Sequence, residues 1–306
     1  MRRLSPIPGL LLCSLFLSAA TAGAQTGQPV GTILIAHGAD SGWNSTVTAL
    51  AQQVHTGGPV AVAFLMGPEA KTHRFQDAVH QVVAAGASRV VVVPILVSSH
   101  SGHYEQVRFL VRATDTLDDE MRHHLMMSAI EQAPLGTNIV ATTALDDAPE
   151  LAQVLADRAR AIATAPSGQA VMLVGHGPNS AEDNAAWMDN LRRIAESVKA
   201  SGGFTDVQIG LLRDDAPAAV RAEAVLEIRN LITLQAKATG HSVVVIPILV
   251  ANGSMSRTTV PTDLAGLPIV YGNAALLPHP ALARWVERMV REAAQPKTAR
   301  AMKASH

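Results

Sequence analysis

The chain has 306 residues, 48% hydrophobic and 16% charged, a composition that fits a compact globular protein long enough for two domains. A formal net charge of −1 gives no pull toward nucleic acid or an anionic membrane surface. Aromatic residues make up only 3%, so stacking platforms for bases are scarce and the core must be built from Ala, Val, Ile and Leu.

The first residues read as an export signal. Arg2 and Arg3 form a positive start, Leu10 to Ala20 an apolar run, and Ala22-Gly23-Ala24 a small-residue cleavage site, which makes Gln25 the mature start. Residues 1–24 are therefore expected to be removed, leaving a periplasmic protein without a membrane attachment. Cleavage also removes Cys13, the single cysteine. Any metal must then be held by imidazole, carboxylate or water.

Taken in order, residues 31–36 form a short apolar run that ends in His37-Gly38, and residues 46–54 show helical spacing. Residues 60–66 read as a second strand, 69–85 as a helix closed by Gly86, and 90–97 as a third strand that is apolar at every position. Continuous apolar runs belong to parallel strands covered on both faces, so strand–helix–strand–helix–strand predicts a doubly wound α/β sheet. The pattern then recurs: strands at 170–174, 206–212 and 242–250, helices at 184–200 and 216–237. Thr32-Ile33-Leu34-Ile35-Ala36-His37-Gly38 is echoed by Val171-Met172-Leu173-Val174-Gly175-His176-Gly177, and Val91-Val92-Val93-Pro94-Ile95-Leu96-Val97 by Val244-Val245-Ile246-Pro247-Ile248-Leu249-Val250. Two similar α/β lobes facing a central cleft are expected, over 25–165 and 166–293, joined at the turn-rich Ala165-Pro166-Ser167-Gly168, with a loose tail over 294–306.

The repeats differ where chemistry would sit. Ser98-Ser99-His100-Ser101-Gly102-His103 in the first copy faces Ala251-Asn252-Gly253-Ser254-Met255-Ser256 in the second. Ligands of open parallel sheets bind beyond the carboxyl ends of the strands, so His37, His100 and His103 fall on one rim and can converge on one ion. Neutral imidazole is a common nitrogen ligand for Zn, Co, Ni and Fe ions. The loss of the histidines in the second copy predicts a single, asymmetric metal site in the first lobe.

The ordered set Ile35-Ala36-His37-Gly38 with Asn44, Val62-Ala63-Phe64-Leu65, 85–94 and His100-x-x-His103 resembles the CbiX/SirB group of class II tetrapyrrole chelatases, once per half over about 31–293. The resemblance implies ATP-independent insertion of a divalent ion into sirohydrochlorin or a related tetrapyrrole. The ion would be Co²⁺ first, with Fe²⁺, Ni²⁺ or Zn²⁺ as alternatives. It implies that His37 and His103 form the catalytic, metal-binding pair facing the macrocycle, with His100 beside them. His176 would touch the ring from the other lobe, or else be a relic of duplication. Arg108 and Arg112 would pair with the ring's acidic side chains. The family's glutamate at the end of strand two is replaced here by Met66, and in the second copy by Arg213. Glu69 is a substitute for that glutamate or a first-turn helix acid.

Other features carry weaker readings. His73, Asp77 and His80 share one helical face, read as solvated, and His123-His124-Leu125-Met126-Met127 reads as an apolar helix edge or lid. No Gly-x-Ser-x-Gly elbow, P-loop or Gly-x-Gly-x-x-Gly occurs, which argues against a hydrolase or nucleotide enzyme. The competing reading is a non-catalytic periplasmic carrier of metal or haem-like rings. A monomer or homodimer is expected, since duplication already supplies two lobes.

Overall fold

The structure, a computed structural model, describes residues 29–295. The export signal and nearly all of the tail expected from the sequence lie outside the described residues. Among the described residues, no helix is long and apolar enough to cross a membrane.

The first sheet is formed by β1 (Val30–Ala36), β2 (Val60–Phe64), β3 (Arg89–Ile95) and the short β4 (Ile139–Ala141). Its helices are α1 (Ser41–Gln53), α2 (Phe75–Ala84), α3 (Gly102–Leu110), α4 (Asp119–Met127) and α5 (Pro149–Ile162). The second sheet is formed by β5 (Ala170–Gly175), β6 (Asp206–Leu211), β7 (Val243–Ile248) and β8 (Ile269–Tyr271). It carries α6 (Ala181–Gly202), α7 (Ala218–Thr239), the single-turn α8 (Val260–Asp263) and α9 (Pro280–Ala294). Both sheets are wholly parallel and share one order, β2-β1-β3-β4 and β6-β5-β7-β8. The α/β fold of two similar parallel-sheet lobes is therefore as the apolar runs imply: the residues of β1, β3, β5 and β7 are almost all buried because helices cover both faces.

In each sheet the chain moves outward from the first strand to one side and then returns to the other, so the switch point lies between β1 and β3, and between β5 and β7. Ala36 pairs with Ile95, and Gly175 with Ile248. The loops after β1 and β3 thus open side by side on one rim, and the register places His37 next to the segment that carries His100 and His103.

The boundary near residue 165 separates the strands of the two sheets but not their helices. The amphipathic α5, at the end of the first half, lies on β7 and along α6, whereas α9, at the end of the chain, lies on β3 beside α1. Each sheet is covered by the other half's last helix, through Leu151, Val154 and Leu155 of α5 and Leu282, Trp285 and Val286 of α9. One apolar core consequently runs through both lobes. Arg288 of α9 seals the crossing with two bonds to Glu150 of α5, at 2.9 and 2.8 Å.

Three local differences from the sequence reading have physical causes. The helix expected over 69–85 is split into a 3-10 turn at Pro68–Lys71 and α2, because the carbonyl of His73 accepts the amide of Phe64 in β2 and cannot continue a helical ladder. The first helix begins five residues early, at Ser41, where Asp40 caps it by accepting from the amide of Trp43. β4 and β8 have three residues each, too few for an alternation or an apolar run to register.

Candidate functional site

The His-Gly pair at the end of β1 is dictated by backbone geometry. Gly38 has φ +87°, and a Cβ there would stand 2.2 Å from the carbonyl oxygen of Met66, so only glycine lets the strand turn so close to the end of β2. The turn is clamped by Asn44, fully buried, whose amide oxygen accepts from the Ala39 amide and whose amide nitrogen donates to the Ala39 carbonyl. The result is a fixed His37. Its Nδ1 lies 2.6 Å from the Gly38 carbonyl, an acceptor only, so Nδ1 carries the proton and Nε2 presents a lone pair.

His103 reaches the same state by another route. Ser101 caps α3 by accepting from the Tyr104 amide, and His103 occupies the first turn of that helix. Its Nδ1 is 2.9 Å from Oε1 of Gln106, whose Nε2 donates to the Met121 carbonyl at 2.7 Å. That second bond fixes the orientation of the amide: Oε1 must accept, so His103 Nδ1 donates and its Nε2 is free for a metal. Gln106 is completely buried, and sequence reasoning passed over it as one polar residue on a helix. This is the outer-shell arrangement that orients metal-ligating histidines.

The two rings meet edge to face with centroids 4.5 Å apart. Burial, then the facing His103, push the basicity of His37 down to about 4; burial also lowers His103. Both imidazoles are therefore neutral near pH 7, the state a divalent ion requires of nitrogen ligands. His124 of α4, which the sequence did not single out by itself, stacks at 6.5 Å against the far side of His103, and its buried Nδ1 has no hydrogen-bond partner. The adjoining Met126 and Met127 point outward, 70% and 63% exposed, so the His-Met segment is an edge whose inward groups are Leu125, in the core, and His124, which backs the site.

His176 repeats the His37 geometry in the second lobe. Its Nδ1 is 2.8 Å from the Gly177 carbonyl, and the strand-end loops of the two lobes meet through Arg257 and Asp40 at 3.5 Å and through the Trp187 indole on the His100 carbonyl, so His176 stands on the rim that faces the first lobe. Unlike the first-lobe pair, its Nε2 meets a carboxylate, Asp215 Oδ2 at 3.2 Å. His176, Asp214 and Asp215 have ligand atoms within 4.8 Å of one another, and no other such group of three occurs among the described residues. Asp214 is already bonded by Arg221 at 2.8 Å, and Arg221 also holds Asp263. Neither aspartate was singled out from the sequence.

The remaining expected residues fall elsewhere. His100 is exposed and forms no three-residue ligand group with His37 and His103. Its carbonyl accepts from the indole of Trp187 in α6, and the preceding Ser99 is held through its amide and hydroxyl by Asp146, each at 2.7 Å, so the segment is pinned between the lobes. Arg108 pairs along α3 with Glu105 at 3.0 Å, and Arg112 is spent on the Ala133 carbonyl and Gln132. Glu69 occupies the first turn of the 3-10 helix, where its carbonyl accepts from Thr72 and His73. Met66 and Arg213 are equivalent: the Met66 amide donates to the His37 carbonyl, and the Arg213 amide to that of His176. The guanidinium of Arg213 turns to the Pro178 and Asn179 carbonyls. The solvated face read for His73, Asp77 and His80 carries the Arg74–Asp77 pair.

This histidine rim lies in a segment that matches a known family: residues 31–162 match the CbiX family model. The match covers the first lobe. Among solved structures, SirB from Bacillus subtilis with Fe³⁺ aligns with TM-score 0.59 and 17% identity over 87% of this chain and 96% of that one. SirB from Bacillus subtilis subspecies spizizenii in complex with cobalt gives TM-score 0.55 and 16% identity over 89% and 98%. CbiX, described as the terminal enzyme of siroheme biosynthesis in denitrifying bacteria, gives 0.53 and 15% over 86% and 99%. These likenesses establish the chelatase fold across both lobes. No curated protein sequence matches the chain. The matched segment is the one that carries the His37–His103 pair.

Proposed function

We propose that the protein is a metal chelatase that inserts a divalent ion, Co²⁺ or Fe²⁺, into sirohydrochlorin or a related tetrapyrrole without ATP. The observation that carries this reading is the His37–His103 pair: two neutral imidazoles on one rim of the lobe that matches the CbiX family model, each with Nδ1 committed to an acceptor and Nε2 free. Such a pair can take an ion from water and yield it to four pyrrole nitrogens, because two imidazole bonds hold it less firmly than the ring does. The relatives solved with iron and cobalt support the choice of ion. The absence of a nucleotide-binding motif supports chemistry driven by the stability of the metal–ring product alone. The leader-like residues 1–24 support action in the periplasm, and the two lobes in one chain support a monomer.

The test is anaerobic incubation of the mature chain with Co²⁺ and sirohydrochlorin, followed by absorbance, beside a His37→Ala/His103→Ala double variant. Faster insertion than in the double variant is expected. Binding of ion and ring with no gain in insertion rate would replace the chelatase with a carrier.

A further inference from the structure

Insertion of an ion into a free-base ring must dispose of two protons, and the first lobe lacks the carboxylate expected at the end of β2 to take them. The end of β2, where a carboxylate would face His37, carries Met66, and His37 and His103 each have Nδ1 committed to an acceptor, which leaves one nitrogen apiece for an ion. The second lobe shows a different arrangement at the same cleft. Both ring nitrogens of His176 face acceptors, Nδ1 the Gly177 carbonyl at 2.8 Å and Nε2 the Asp215 carboxylate at 3.2 Å. An imidazole so placed is fully satisfied only when both nitrogens carry a proton. His37 and His103 satisfy one nitrogen and leave the other open; His176 is arranged to receive a proton.

Resting on the chelatase reading, we propose that His176 and Asp215 form the proton-accepting dyad of metal insertion, acting from the second lobe on the ring face opposite the His37–His103 pair. As the ion moves from His37 and His103 into the ring, each pyrrole N–H bond breaks. Its electron pair stays on nitrogen and forms the new nitrogen–metal bond. The proton passes to the exposed Asp215 carboxylate, whose Oδ2 lies 3.2 Å from Nε2 of His176, and His176 shares it. Asp215 has 69% of its side chain exposed, so the proton leaves through it to water and the dyad is ready for the second. Two protons and one divalent ion exchange places, and charge balances. Asp214 does not share this role, because Arg221 occupies its carboxylate. Duplication has thus given each lobe one half of the reaction: nitrogen donors in the first, a proton acceptor in the second.

The experiment compares wild type, Asp215→Asn and Asp215→Glu as full mature chains, reading Co²⁺ binding by its visible spectrum and insertion by absorbance of the cobalt–sirohydrochlorin product. Asp215→Asn is expected to bind Co²⁺ as wild type does but to insert it about 100-fold more slowly, near the low end of general-base contributions. Asp215→Glu should recover most of the rate. Insertion by Asp215→Asn at the wild-type rate overturns the dyad while leaving the chelatase reading intact. Loss of Co²⁺ binding in step with insertion also overturns it, since Asp215 would then be a ligand. A wild-type chain that inserts nothing removes both readings together.

Discussion

Replacing Gln106 by leucine isolates what a single buried amide does for the metal pair. In wild type, Gln106 Oε1 accepts from His103 Nδ1 at 2.9 Å and its Nε2 donates to the Met121 carbonyl at 2.7 Å, with no solvent access. Leucine of similar volume leaves both partners unsatisfied. Each orphaned group costs about 1–3 kcal/mol, partly offset by the added apolar burial, so a loss of about 2–4 kcal/mol is expected. For a chain of this length that corresponds to a fall in Tm of about 3–7 °C by scanning calorimetry. The second consequence is chemical. Without an acceptor at Nδ1, His103 can carry its proton on Nε2, the atom a metal needs, and Co²⁺ affinity should weaken about 10- to 100-fold by titration calorimetry. Gln106→Glu separates the two effects: its carboxylate still accepts from His103 but faces the Met121 carbonyl without a donor. It should lose stability and keep affinity within a few-fold. Wild-type affinity in folded Gln106→Leu would refute the tautomer argument, and unchanged Tm would refute the accounting of orphaned groups.

His37→Ala should abolish Co²⁺ binding, whereas His176→Ala should leave it within a few-fold; equal losses, measured by equilibrium dialysis, would end the assignment of the metal to the first lobe. The depressed basicity of His37, about 4 against an ordinary 6.5, has a defined sign for stability. Between those values the unfolded chain binds a proton that the folded chain refuses, so stability from this group is full above about pH 6.5 and is lost as pH falls toward 4. Urea denaturation from pH 7 to 4 should show that decline, shallower in His37→Ala, and an identical slope in the two chains would contradict the burial of a neutral His37. Gly38→Ala forces a Cβ to within 2.2 Å of the Met66 carbonyl at φ +87° and should cost about 3 kcal/mol or more, seen as a lowered Tm or insoluble expression. A soluble Gly38→Ala with wild-type Tm would mean that the β1 turn is not so constrained.

What the sequence determined by itself was everything set by short-range pattern. Unbroken apolar runs such as Val90–Val93 can only be strands buried on both faces, and their repetition after Ala170 announced two sheets of one design. His37 and His103 were legible because each follows the carboxyl end of a strand, and strand ends adjoin in a parallel sheet. His100, with the same credentials, is exposed, and its backbone is held by contacts made at long range, the Trp187 indole from the other lobe and the Asp146 anchor on Ser99. Gln106 and His124 gave no signal, since a polar side chain on a short helix looks solvated until a neighbouring element closes over it. Asp215 gave no signal, because its partner His176 follows the neighbouring strand β5, 39 positions earlier. The exchange of α5 and α9 between the lobes was equally hidden. An amphipathic helix specifies that one face must be buried, but two nearly identical sheets offer equivalent beds, and only the three-dimensional path of the chain selects between them.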